Sequence, residues 1–125
     1  MKHLLAFTSA IEAATGFVLL LTPAIAVRLL FGADAEGIAA VASRFAGVTL
    51  VALSAACWPG RDADRRDTHA LIGMLSYNAI ATAYLAYVAV AARFVGPLLW
   101  PAIALHALLS ILLARSMRSG RAVSA

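Results

Sequence analysis

The sequence predicts an all-α polytopic membrane protein, a four-helix bundle with both termini on the cytoplasmic side. Three observations carry that expectation. The chain of 125 residues is 63% hydrophobic and 13% charged, where soluble domains run nearer half apolar and a quarter charged. Its apolar residues fall into four segments, each about as long as a helix needs to cross a hydrocarbon core of about 30 Å. Its basic residues gather at the ends of those segments, which is how membrane topology distributes them. Nucleic acid is therefore not an expected partner, despite the net charge of +4. Four spans leave no length for a second unit, so residues 1–125 read as a single transmembrane domain.

The first segment covers 3–22 and ends where Pro23 removes a backbone donor. Met1-Lys2 before an apolar stretch has the outline of a signal peptide. Thr8, Ser9 and Glu12 interrupt that stretch, and apolar character resumes beyond them, so a retained span is expected. Residues 23–31 are apolar apart from Arg28 and close with Gly32. They either extend the first span past a kink or form a short interfacial helix with Arg28 reaching to headgroups; the second is preferred. The second segment covers 37–58 and stops at the turn signal Pro59-Gly60. The connection 60–67 is charged and internally balanced, as a solvated turn would be. The third segment covers 69–93. The fourth, 97–114, opens with Pro97-Leu-Leu-Trp-Pro101. It is the shortest, so it is expected to thin the bilayer or to stand upright.

Orientation follows from charge. Lys2, Arg61, Arg65, Arg66, Arg115, Arg118 and Arg121 fall on one side, and only Arg28 and Arg93 on the other. The positive-inside rule places both termini in the cytoplasm, with Trp58 and Trp100 as anchors at opposite interfaces. The single cysteine, Cys57, excludes an intrachain disulfide and a cysteine-based metal site.

Each span carries one strongly polar residue in its interior: Glu12, Arg44, Asn78 and His106. A charge or amide in hydrocarbon is costly unless it is paired or faces water, so these positions are the candidate site. At a rise of 1.5 Å per residue, Glu12, Asn78 and His106 lie about 14 Å deep and Arg44 about 10 Å. Helices presenting these faces to one another would build one polar layer. Thr8 shares the Glu12 face, Thr82 follows Asn78 at i+4, and Ser110 follows His106 at i+4. Glu12 and Arg44 form the expected pair. It reads either as a register-fixing ion pair or as a protonatable acid tuned by its neighbour. His106 reads as a hydrogen-bonded bundle histidine, with proton relay or quinone contact, assisted by Tyr84, as alternatives. Bis-histidine haem is disfavoured because His3 and His69 lie at span ends, and no metal-ligand spacing occurs. No catalytic constellation, metal or cofactor is expected.

Glu12-x-x-x-Gly16, Leu-Thr-Pro23, Leu-Leu-Phe-Gly32, Arg44-x-x-Gly47-x-x-Leu50, Tyr77-Asn78, and Leu-Trp-Pro101 with His106 together resemble small uncharacterised bacterial integral membrane proteins near the DoxX-like group. The resemblance implies a four-helix bundle in a bacterial inner membrane and transfers no catalytic role to any residue. Three functions stay open. One is a non-catalytic accessory subunit, as a homo-oligomer or with a partner membrane protein. The others are a small proton-coupled transporter or channel using Glu12, and a quinone- or haem-binding redox component using His106.

Overall fold

The computed structural model describes residues 2–59 and 64–123, with side chains except at 64–67 and 120–123. Helix α1 spans Lys2–Leu21, α2 Pro23–Phe31, α3 Ile38–Ala56, α4 Asp64–Tyr87, and α5 Leu99–Val123. A π-helical turn, Val88–Ala92, continues α4. Among the described residues, four helices are long and apolar enough to cross a membrane, over 2–21, 38–56, 68–92 and 99–119. The chain is accordingly an all-α, multi-pass membrane bundle. The charged connection expected as a solvated turn, together with Arg61, Arg65, Arg66 and Arg121, lies outside the described side chains.

Residues 23–31 form a helix of their own. Pro23 sits at its start, where a missing N–H costs nothing. Gly32, at φ 66°, ends it in the left-handed conformation, its N–H donating to the Arg28 carbonyl at 2.9 Å. Two further carbonyls at that end are satisfied from the α4–α5 connection. Gly96 N–H donates to Leu30 O and Leu98 N–H to Leu29 O, both at 2.9 Å. A Cβ at position 96 would collide with the backbone of Leu29 and Leu30, so a glycine is needed for that approach. Arg28 pairs with exposed Asp34 at 2.6 Å.

The helix that carries the fourth span is longer than its apolar run, continuing to Val123 past the expected end at 114. Hydropathy locates where an apolar run ends, whereas the residues after it, Arg115-Ser-Met-Arg118, can continue a helix into the polar phase.

The spans form two antiparallel hairpins, α1 with α3 and α4 with α5, and α1 makes most of the contact between them. Helices α1 and α3 cross where Gly16 meets Gly47. A Cβ on Gly47 would lie 2.5 Å from Gly16 O and 2.8 Å from Leu20 N. Small residues let membrane helices approach this closely, since lipid supplies no hydrophobic drive between them. The half of the bundle near the termini is closed by a buried core of Leu5, Cys57, Leu71, Met74 and Leu113.

Gly47→Ala is expected to destabilise the protein by about 1–3 kcal/mol through overpacking against backbone. Gly73→Ala is the control, because its Cβ would meet only Cys57 Sγ at an ordinary 3.7 Å. Thermal unfolding in detergent checks both.

Candidate functional site

Glu12, Asn78 and His106 meet at the middle of the bundle, each from a different helix. Leu5, Thr8, Ser9, Glu12 and Gly16 form the buried stripe of α1, with three- and four-residue spacing. That stripe turns Glu12 toward the α4–α5 hairpin, where its Oε1 lies 3.7 Å from His106 Nδ1. Glu12 and Asn78 are fully buried and the His106 side chain is 13% exposed.

The hydrogen bonds determine which atom does what. Asn78 Nδ2 donates to the Met74 carbonyl at 3.0 Å, which fixes the amide so that Oδ1 faces His106. Oδ1 can only accept, so His106 Nδ1, at 2.8 Å, donates to it. In the neutral ring the lone pair then resides on Nε2, on the opposite side of the imidazole from the cluster. Tyr77 sets the ring further by an edge contact, with centroids 5.9 Å apart and planes at 78°.

Glu12 is the exception. Neither carboxyl oxygen has a hydrogen-bond partner among the described residues, and the Ser9 hydroxyl on the same buried stripe also lacks one. At 3.7 Å, His106 Nδ1 is within Coulombic reach of Oε1 and beyond hydrogen-bonding distance. A buried acid without partners contributes little to folding.

Arg44 does not join the layer. It lies exposed on the outward side of α3 and makes no ion pair with Glu12. The helix rotation explains this. Gly47, Leu50 and Ser54 are the buried face of α3, set by the close crossing at Gly47, and Arg44 falls beside that face. The expected Glu12–Arg44 pair is replaced by Glu12 beside His106. Of the secondary residues, Thr8 donates to Leu4 O, Thr82 to Asn78 O and Ser110 to His106 O, at 2.8–2.9 Å. Each is satisfied within its own helix. Tyr84 stands exposed, and His3 and His69 are likewise exposed, away from the cluster. Among the described residues, no three His, Cys, Asp or Glu side chains gather as a metal site.

A groove of about 1180 Å³ reaches the cluster from one side. Helix α1 forms its floor through Ile11, Thr15 and Val18, with α3 as one wall and the α4–α5 hairpin as the other. It stays open because α3 makes no substantial contact with α4 or α5. Helix α2 closes one end through Ala26 and Leu30, and His106 and Tyr77 lie at the other. The lining is almost wholly apolar, so His106 is its main ionisable contact. Sequence periodicity could not show this groove, which depends on how far apart the two hairpins stand. Ser9 and Tyr77 were also missed as site residues, although Ser9 lies three residues before Glu12.

Comparison with protein-family models, with curated proteins and with solved structures found no match.

Three substitutions separate the roles. Arg44→Ala is expected to change stability by less than about 0.5 kcal/mol, where loss of a buried ion-pair partner would cost about 3–5 kcal/mol. Asn78→Leu is expected to cost about 1–3 kcal/mol, because it strands the His106 donor. Glu12→Met is expected to leave stability unchanged or raised. Unfolding titrations of the three variants check the order.

Proposed function

We propose that this protein is a non-catalytic binding subunit of the bacterial inner membrane. It holds an amphipathic, bilayer-borne molecule in the groove between its hairpins, with the polar head against His106. The observation that carries this reading is that His106 belongs both to the lining of an apolar groove and to the buried polar cluster. Ligand sites have that composition, a mostly apolar lining with few convergent polar groups. From Leu98 to His106 the groove runs roughly eight residues of helix, about 12 Å. That length suits a medium alkyl chain.

The DoxX-like resemblance and the charge pattern support the location. Lys2, Arg115 and Arg118 stand at the end of the termini and Arg28 and Arg93 at the α2 end, a bias that supports cytoplasmic termini. The groove then opens toward the outer leaflet, while the Leu5–Met74–Leu113 core closes the cytoplasmic half. Proton-coupled transport is the second reading, favoured by the partnerless Glu12 carboxyl.

Photo-crosslinking with a diazirine-bearing decanol tests the groove in proteoliposomes. Labels are expected on groove residues such as Leu53, Ala81 and Leu85, above the level at lipid-facing Phe7, Phe17 and Ile111. Ala81→Trp should fill the groove and lower the groove labels at least tenfold while the protein stays folded. Uniform labelling of groove and outer faces would reject the site.

A further inference from the structure

Resting on the ligand reading above, we propose that the groove selects a hydrophobe with a hydrogen-bond-donating hydroxyl head, an alcohol or phenol, which donates to His106 Nε2. The hydrogen-bond chain starts at one carbonyl. Met74 O takes a hydrogen from Asn78 Nδ2, so Asn78 Oδ1 must accept. His106 Nδ1 must then donate, at 2.8 Å. A neutral imidazole has one N–H, so Nε2 offers a lone pair. Nδ1 points into the sealed cluster, where Glu12 and Asn78 are fully buried. Nε2 lies on the far edge of the ring from Nδ1, and His106 is among the residues that line the groove. Among the described residues no hydrogen bond engages Nε2, and it is not among the buried polar atoms left without a partner, so it is not sealed inside the cluster.

That arrangement discriminates by chemistry. An alcohol or phenol donates to the lone pair and leaves its chain along α1 toward α2. An ether, an ester or an oxidised quinone ring presents acceptors only and would set lone pair against lone pair. An ammonium head would donate too, but would bring an uncompensated charge to an almost wholly apolar lining. Tyr77, edge-on to His106, and Tyr84 further along the groove add faces that suit an aromatic hydroxyl.

The test uses the full chain in detergent micelles with two probes of equal apolar length, 4-nonylphenol and 4-nonylanisole. Competition against the diazirine decanol reads affinity, and the ¹⁵N resonances of labelled histidine read the ring. The phenol is expected to compete at least tenfold better than the anisole and to shift the unprotonated Nε2 resonance of His106. The anisole should leave that resonance in place. His106→Phe, which keeps an aromatic ring, is expected to bring the two probes level. Equal competition by both probes with the wild type overturns the hydroxyl selectivity and leaves the groove standing as a ligand site. Competition by neither rejects the groove reading itself. A protonated Nε2 in the free protein contradicts the lone pair directly, and that measurement needs no variant to fold.

Discussion

A polar side chain inside a bilayer must find its partner within the protein, on its own helix or a neighbouring one, because lipid tails supply none. In this protein the hydrogen bond from His106 Nδ1 to Asn78 Oδ1 meets that demand for α4 and α5. It joins the two helices at mid-depth, fixes the face each turns inward and sets the tautomer of the ring. The Asn78 amide is held in turn by Met74 O, so the orientation passes from backbone to amide to imidazole. Glu12 meets the same pair from α1 without completing a hydrogen bond. The cluster is thus structurally anchored on one hairpin and chemically incomplete on the other.

Packing divides the bundle along its length. Gly16 and Gly47 bring α1 and α3 into backbone contact, so the first hairpin is rigid and thin. Below the cluster, large apolar side chains fill the space between the hairpins. Above it the hairpins stand apart, and α2 spans the opening at the end. Hydrogen bonds from Gly96 and Leu98 to the last turn of α2 fasten that short helix to the second hairpin. The groove gives the cluster a route of access between the hairpins.

Much of this was legible in the sequence. Apolar run length marked the four spans, and Pro23 with Gly32 favoured a separate short helix over a kinked first span. Stripe spacing put Glu12, Asn78 and His106 inward, and matching depths put them in one layer. Arg44 was expected in the same layer and lies outside it because helix rotation is decided by close packing, here at Gly47. A charge-complementarity argument cannot see that rotation. The ends of α4 and α5 escaped for a related reason, since both helices run on beyond their apolar parts. The groove escaped altogether, because an apolar residue facing a void and one facing lipid look alike in sequence.

The most direct measurement is an experimental structure in lipid nanodiscs with long-chain alcohol present. The expected result is elongated density between α3 and the α4–α5 hairpin, its head beside His106, with Asn78 bonded to the ring and Arg44 turned outward. A closed groove with Arg44 folded in against Glu12 would contradict it.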